Sequence, residues 1–169
     1  MDHILTDCDI SGQKQIWRLV AKIWRKKHNE ELHITYGKIM GCNLINYTNN
    51  EGKPDIDKNR LIRILIAESA HLIWKLRCER RIKNEDNPEL FHTETEIHNR
   101  WLATINKRLT IDCITTNKQK YGNKATKPYI VKETWKNTLQ NEENLPEKWY
   151  RQSGVLVGIK PLCPKGWNR

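Results

Sequence analysis

Strand-forming residues and long apolar runs are scarce in this sequence. Valine occurs 4 times and phenylalanine once, against 19 isoleucines and 15 leucines. Since valine and phenylalanine favour strands, this balance points towards helices. Hydrophobic residues make up 37% of the 169 residues, which allows a small core and argues against a large buried sheet. The longest apolar stretch, 61–76, is interrupted by ionisable side chains, so we expect no membrane span.

The cysteines lack the patterns of two familiar roles. There are 5 of them, an odd number, and no C-x-x-C occurs. Spacing therefore predicts neither a disulfide framework nor a complete four-ligand zinc site. The first residues, MDHILTDCD, carry acidic groups where a secretory signal carries basic ones. We therefore expect reduced thiols in an intracellular protein, nuclear or cytoplasmic.

Motifs of enzyme active sites are missing as well. There is no G-x-S-x-G, P-loop or G-x-G-x-x-G, and no paired-Asp motif of a polymerase or ribonuclease. Weaker candidates are the segment 92–98, HTETEIH, and the pair Glu68 and His71. The segment fits neither H-E-x-x-H nor zinc-finger spacing, and His71 fits a satisfied core histidine better than an acid–base pair. We predict that the chain is not an enzyme and holds no cofactor.

Amphipathic segments predict an all-α fold, a small bundle of about four helices with irregular termini. Their expected bounds are about 12–28, 57–83, 94–120 and 128–141. The second segment is apolar on more than one side, which is typical of a central core element. Ser11 and Asp57 are the expected N-caps of the first two, and Thr93 with Glu96 predicts a capping box for the third.

Residues 32–48 follow no helical period. Two short apolar runs flank Gly37 and Gly41 in this stretch. The pattern is compatible with a short hairpin or with an irregular loop that contains a helical turn. The next residues, 49–54, have the composition of a turn or linker.

The sequence is rich in tryptophan, with 7 residues of this type. Most of them fall on apolar faces of predicted helices, which favours core packing over a binding role. These are Trp17, Trp24, Trp74, Trp101 and Trp135. Trp149 and Trp167 lie outside strong helices and stay open to stacking on bases, which needs exposed rings.

Positive charge is concentrated in blocks. The formal net charge is +10, and residues 57–83 and 100–132 carry local charges of +5 and +7. Between them, residues 84–96 hold five acids and no lysine or arginine. Basic surfaces of this kind attract phosphate backbones, so RNA or DNA is the expected partner, with a merely solvated surface as the alternative. The residues predicted to bind nucleic acid are Arg77, Arg80, Arg81, Lys107, Arg108, Lys118, Lys120, Lys124 and Lys127.

His3 and Cys8 form an H-x4-C. This spacing is that of the second half of a Cys-Cys-His-Cys zinc knuckle, in which a neutral imidazole and a thiolate supply two tetrahedral corners. Two ligands hold a structural zinc poorly. We therefore expect zinc at His3 and Cys8 only if an upstream cysteine pair completes the site.

Together with the residues after it, this half-motif resembles a known family. HIL-x-x-C, a short spacer and a helix with Ile16, Trp17 and Leu19 look like the end of the zinc-binding region of non-LTR (LINE-type) retrotransposon polyproteins, found beside the reverse transcriptase and ribonuclease H region. Four further phrases resemble the C-terminal tails of such elements in fungi. They are RLIRILIAESAHLIWKLRCERRI, EIHNRWLATINKRLTID, ETWKNTLQNEENLPEKW and GVLVGI, so the resemblance runs from His3 to about Ile159.

The resemblance implies a non-catalytic C-terminal fragment of a reverse-transcriptase polyprotein that assists RNA or DNA binding. The polymerase, endonuclease and ribonuclease H residues of the family have no counterpart here, and His3 and Cys8 would be an incomplete zinc site. We accordingly divide the chain into a zinc-region remnant with the first helix (1–48), a basic helical core (55–145) and an extended C-terminal tail (146–169).

A second hypothesis concerns a different class of protein. The second predicted helix is apolar on more than one side, and a surplus apolar face could serve a partner helix. The chain would then be a helical protein-interaction or self-association module without a role in nucleic-acid binding.

Overall fold

The protein is all-α, as the sequence predicts. The computed structural model describes residues 5–6 and 12–163. Its helices in these ranges are α1 (Gln13–His28), α2 (Tyr36–Met40), α3 (Ile56–Cys78), α4 (Glu94–Thr115), α5 (Lys118–Tyr121) and α6 (Pro128–Trp135). A π-helical turn, Glu79–Lys83, continues α3, and short 3-10 turns join the other elements. No helix of the described residues has the length and apolar character needed to cross a membrane.

Helix α3 is the centre of the core because it is apolar nearly all round. It packs against α1, α4 and α6, and its fully buried side chains include Leu61, Ile62, Leu65 and Ile66. Burying a side chain of this size stabilises the fold by roughly 1.5–3 kcal/mol. Most of the wide apolar surface that the sequence predicts for this helix is therefore buried within the protein itself.

Two ion pairs fix α4 antiparallel to α3. Near the start of α3, Arg60 donates to Asp112 over 2.7 Å, and just beyond its end Glu79 accepts from Arg100 over 2.6 Å. The residue numbers rise along α3 as they fall along α4. Helix α4 has 22 residues, so its two ends lie about 33 Å apart. Side chains packed around one end are therefore far from those packed around the other end.

A buried carboxylate joins α3, α4 and α6. Asp112 is 2% exposed; its Oδ1 accepts from Arg60 over 2.7 Å and its Oδ2 accepts from Trp135 Nε1 over 2.8 Å. Arg60 also donates to Thr134 Oγ1 over 3.1 Å, and Arg108 Nη2 lies 3.4 Å from Asp112 Oδ1. The carboxylate thus has compensating charge, and an indole N–H that cannot reach water has an acceptor.

Helices α1 and α3, which correspond to the first two predicted helices, begin at other residues than predicted. The N-cap of α1 is Gly12, with φ 67°, and Ser11 lies outside the described residues. A Cβ at Gly12 would meet Ile97 Cδ1 at 2.4 Å, so this close approach of α1 to α4 requires glycine. Asp57 lies in the first turn of α3, and the N-cap is Asp55, which accepts from the Lys58 backbone N–H over 3.0 Å.

Helices α4 and α6, which correspond to the third and fourth predicted helices, end earlier than predicted. Helix α4 ends at Thr115, and Asn117, which accepts from the Lys120 backbone N–H, then caps α5. After Trp135, the end of α6, Asn137 adopts φ 64°. Lysines near the end of α1 donate to carbonyls at and beyond the end of α6: Lys26 donates to Leu139 O over 2.9 Å, and Lys27 to Glu133 O.

Residues 32–48 form the loop with a helical turn, and the predicted alternative of a hairpin within this stretch is wrong. Thr35 caps the short helix α2, and a 3-10 turn, Cys42–Leu44, follows it. An isolated antiparallel bridge between Thr48 and Pro54 closes the turn at 49–53. The N-cap of α3 follows directly after this turn.

The division of the tryptophans into buried and exposed side chains differs from the prediction. Trp24, Trp101 and Trp135 are fully buried and Trp17 is half-buried, which confirms core packing for these four. Trp74 is 41% exposed, because it lies on a side of α3 against which no helix of the described residues packs, so its predicted core position is wrong. Trp149 is only 7% exposed, since the segment that follows it folds back and buries Val155, Val157 and Ile159. Trp167 lies outside the described residues.

Replacing Asp112 tests the role of the buried carboxylate. We expect Asp112→Asn to lower the free energy of unfolding by about 3 kcal/mol, because it leaves Arg60 without its countercharge in a largely buried position. Urea denaturation at neutral pH measures the change. Glu89→Gln is the control, since this carboxylate is exposed and forms no ion pair with the rest of the described chain. Equal stability of the two variants would contradict the account.

His28 makes the stability of the fold depend on pH. Its ring packs against Trp24, with 4.3 Å between the ring centroids. Burial, with Lys27 and Lys58 nearby, lowers the pKa of His28 from 6.5 to about 4. The folded protein thus holds this imidazole neutral at a pH at which the unfolded chain protonates it.

The sign of the effect depends on this difference in pKa. The contribution of His28 is complete above pH 6.5 and is lost as the pH falls towards about 4, because only the unfolded chain binds the proton in that range. Between about pH 7 and pH 5 we expect the wild type to lose on the order of 1–2 kcal/mol more than His28→Gln. Urea unfolding at both pH values measures this difference. His71→Gln, at an exposed histidine, is the control and should behave as the wild type; an identical loss in the His28 variant would contradict the assignment.

Candidate nucleic-acid interface

A groove of about 1180 Å³ lies at the C-terminal end of α4. Three segments line it: the last turns of α4, the connection 116–128 that includes α5, and residues 150–155 near the end of the described chain. The groove is large enough for a segment of an extended polymer as well as for a small molecule.

The charge of the groove has one sign. Within the described part of the chain, its lining includes no carboxylate and four cations, which are Lys118, Lys120, Lys127 and Arg151. All four are exposed, and none of them forms a salt bridge within the described part of the chain. Half of the other lining residues are threonine, asparagine, glutamine or serine, which are neutral and can donate hydrogen bonds. The groove thus combines uncompensated positive charge with neutral donors.

The connection after α4 that carries three of these lysines is a loop that hydrogen bonds close at its two ends. Asn117 accepts from the Lys120 backbone N–H over 3.1 Å and starts α5, whereas the Thr126 N–H donates to Thr115 O over 2.9 Å and brings the chain back to the end of α4. Between them Gly122 has φ 53° and ψ −128°, a conformation that residues with a side chain rarely adopt. The short loop therefore presents its basic residues around the mouth of the groove.

Two further predicted residues extend this surface. Lys107 is exposed on α4 and precedes the lining residues Thr110 and Ile114 by three and seven positions, which places it on the same face of the helix. Lys124 is exposed in a 3-10 turn and lies between two lining residues of the loop. The structure thus brings together five of the predicted residues: Lys107, Lys118, Lys120, Lys124 and Lys127.

The predicted arginine cluster of α3 lies elsewhere. Arg80 Nε is 3.1 Å from Asp86 Oδ1, and Arg81 Nη1 is 2.5 Å from Asp86 Oδ2. The guanidinium of Arg77 lies 5.9 Å from the ring centroid of Trp74. All three are near the N-terminal end of α4, so the length of that helix, about 33 Å, separates them from the groove. The acidic segment folds back onto two of the arginines instead of merely separating two basic surfaces.

Arg108, the remaining predicted residue, faces a different cavity. At about 100° per residue it points to the side of α4 opposite Thr110 and Ile114. There it lines a second cavity with Arg60 and Arg63. Arg108 is therefore not part of the groove.

Sequence reasoning missed Arg151. It lies in a 3-10 turn, Trp149–Arg151, within a segment predicted to be an extended tail. A single basic residue in such a segment carries no periodic signal. Its position depends on the burial of Trp149 and Tyr150, which anchor the turn beside the loop after α4.

The histidines of the segment 92–98 do not converge on one site. His92 lies between two carboxylates, with Nδ1 2.8 Å from Glu96 Oε1 and Nε2 3.2 Å from Glu79 Oε2. His98 is buried and its Nε2 is 2.9 Å from Lys160 O. Thr93 Oγ1 accepts from the Glu96 N–H over 3.2 Å, which is the first half of the predicted capping box.

The carboxylate of Glu79 is held charged by an arginine. Arg100 donates to both of its oxygens at 2.6 Å, and these hydrogen bonds lower the pKa of Glu79. The same pairing raises the pKa of Arg100. This cluster therefore joins the end of α3 to the start of α4 and has the chemistry of a structural ion-pair network.

The remaining candidates for acid–base or metal chemistry are separate. His71 is exposed on α3, so its predicted core position is wrong, because this side of the helix faces solvent. Within residues 5–6 and 12–163, no group of three or more His, Cys, Asp and Glu side chains could hold a metal ion. His3 and Cys8, the predicted zinc half-site, lie outside the described residues.

The groove contains one thiol. Cys113 lines it, and burial, with the nearby charge of Asp112, raises the pKa of this thiol to about 11. The sulfur is thus protonated at neutral pH and is a poor nucleophile. The arrangement supports binding of a polyanion better than covalent chemistry. No protein-family model, no curated protein and no solved structure matches the chain.

Proposed function

We propose that the protein is a non-catalytic module that binds the phosphate backbone of RNA or DNA in the groove at the end of α4. The observation that carries this proposal is the lining of four cations without a carboxylate. A surface that only had to be soluble would carry charges of both signs, as this protein does around Asp86 and Glu79.

The chemistry of the groove suits a backbone more than a particular base sequence. Lysines act as point charges that displace counterions from phosphates, and this gives affinity that falls with salt. The neutral asparagine, glutamine, serine and threonine side chains are suited to bonds with phosphate and sugar oxygens. Buried Trp149 and Tyr150 offer no exposed ring for stacking. We therefore expect binding with little sequence preference.

The sequence resemblance suggests a setting for this activity. If the chain is the C-terminal tail of a LINE-type retrotransposon polyprotein, the groove would help to hold the element RNA or the target DNA. The zinc-binding region of such a polyprotein would then include His3 and Cys8 as two of its ligands. Polymerase, endonuclease and ribonuclease chemistry would belong to other parts of such a polyprotein.

A protein-interaction module is supported less well. The hypothesis depends on a surplus apolar face of the second predicted helix, and α3 buries most of that face against α1, α4 and α6. Trp74, at 41% exposure, is the one large apolar side chain between Leu61 and Leu76 that stays exposed.

The groove lysines should set both the affinity and its salt dependence. We expect Lys118→Gln, Lys120→Gln and Lys127→Gln, combined in one variant, to weaken binding at least tenfold for all sequences alike. The slope of log affinity against log salt should fall by about 3, roughly one per lost phosphate contact. Fluorescence anisotropy with labelled RNA and DNA, from about 50 to 300 mM salt, measures both quantities.

A variant with the same loss of charge elsewhere is the control. Arg18→Gln, Lys22→Gln and Lys75→Gln remove three exposed cations from α1 and α3, and this variant should keep nearly wild-type slope and affinity. Equal weakening by the two triple variants would show an effect of net charge alone. A flat salt response, or no binding at about 50 mM salt, would refute the proposed function.

A further inference from the structure

The second cavity lies on the other side of α4 from the groove. Its volume is about 410 Å³, within the range of pockets that hold small ligands. Three arginines, Arg60 and Arg63 from α3 and Arg108 from α4, line it together with Asn46 and Asn59. The side chains of Arg60 and Arg108 are 22% and 34% exposed, so the cavity is open to solvent.

Positive charge exceeds negative charge around this cavity. Arg60 and Arg108 share the carboxylate of Asp112, and Arg63 forms no ion pair within the described residues, so the three guanidinium groups carry two charges more than this carboxylate compensates. That carboxylate is itself occupied, because it accepts from Arg60 and from Trp135. Among residues 5–6 and 12–163, no acidic side chain lines the cavity.

The arginines also keep unused donors. The Nε atoms of Arg63 and Arg108 are buried and have no hydrogen-bond acceptor within the described part of the chain. Arg63 donates from Nη2 to Ile45 O over 2.9 Å, and no ion pair holds its charge within the same residues. The charge of Arg63 is therefore uncompensated within the described chain, and an anion that enters the cavity would compensate it. Asn59, in contrast, is satisfied by its own bonds to residues 46 and 47.

We propose that this cavity is a binding site for a phosphate-type oxyanion, either free or as a terminal phosphomonoester. Planar guanidinium groups pair with tetrahedral oxyanions through two parallel hydrogen bonds, and three of them facing one cavity match the charge of a dianion. The site is independent of the groove, because its arginines lie on the opposite side of α4 and contribute nothing to the groove lining.

Titration calorimetry with inorganic phosphate at constant ionic strength tests the site. We expect half-saturation below about 1 mM for the wild type and at least roughly tenfold weaker binding for Arg63→Gln, since a bond to a charged group is lost. Circular dichroism and the melting midpoint without phosphate verify that the variant is folded. Wild-type binding by a folded Arg63→Gln, or half-saturation above about 10 mM in the wild type, would overturn the proposal.

A matched pair of variants at Ile56 tests the site without removing an arginine. Ile56 is 58% exposed at the first position of α3 and lines the cavity, so both Ile56→Glu and Ile56→Gln should fold. Only Ile56→Glu places a negative charge beside the anion, and we expect it to abolish phosphate binding while Ile56→Gln retains it. Equal binding by the two would overturn the proposal.

Two further arms identify the source of the anion and separate this site from the groove. Adenosine monophosphate that binds more tightly than inorganic phosphate would identify a phosphomonoester as the ligand, whereas weaker binding would identify free phosphate. The triple lysine variant of the groove should bind inorganic phosphate as the wild type does. Its loss of phosphate binding would overturn the assignment to the arginine cavity, and failure of RNA binding alone would leave that assignment intact.

Discussion

The contact on which the rest of this structure depends is the buried carboxylate of Asp112. It receives Arg60 from α3 and the Trp135 indole from α6, so one side chain of α4 fixes three helices. Apolar packing alone would let these helices slide along one another, whereas directed hydrogen bonds hold a single register. Because Asp112 lies in the last turn of α4, that register also sets where the helix ends and where the basic loop begins.

The same contact lies between the two proposed binding sites. On one side of α4, its last turns and the loop after it form the lysine groove. On the other side, Arg60 and Arg108 approach Asp112 from the arginine cavity. The carboxylate compensates part of the charge of the arginines and none of the charge of the lysines. This difference suits a small anion held at a fixed place in the cavity and a polyanion that passes along the groove.

The cations behind the net charge of +10 are therefore paired with carboxylates in some regions of the structure and unpaired in others. Near the start of α4, Asp86 pairs with Arg80 and Arg81 of the first basic block, and Glu79 pairs with Arg100 at the start of the second. Near the end of α4, no acidic residue of the described chain lines the groove. Local charge in the sequence predicted both blocks equally well. The folding back of the acidic segment, a tertiary event, compensates two arginines of the first block, whereas the groove lysines of the second block form no ion pair within the described residues.

The sequence predicts the long helices well because their apolar periodicity is strong, and α3 in particular is recognisable from its breadth. Helix ends are harder to predict, since they depend on which groups satisfy the terminal backbone: Asn117 caps α5 shortly after α4 ends, and Lys26 and Lys27 satisfy carbonyls at and beyond the end of α6. The loop lysines of the groove were predictable from composition. Arg151 was not, because only the packing of a distant irregular segment brings it to the loop.

The central claim is that nucleic acid contacts the groove at the end of α4. Backbone amide chemical-shift mapping, with labelled protein and a short RNA or DNA added stepwise, locates the contact directly. The account predicts that the shifts cluster at residues 116–128 and 150–155 and at the last turns of α4. Shifts centred on residues 77–81, or spread evenly over the surface, would contradict it.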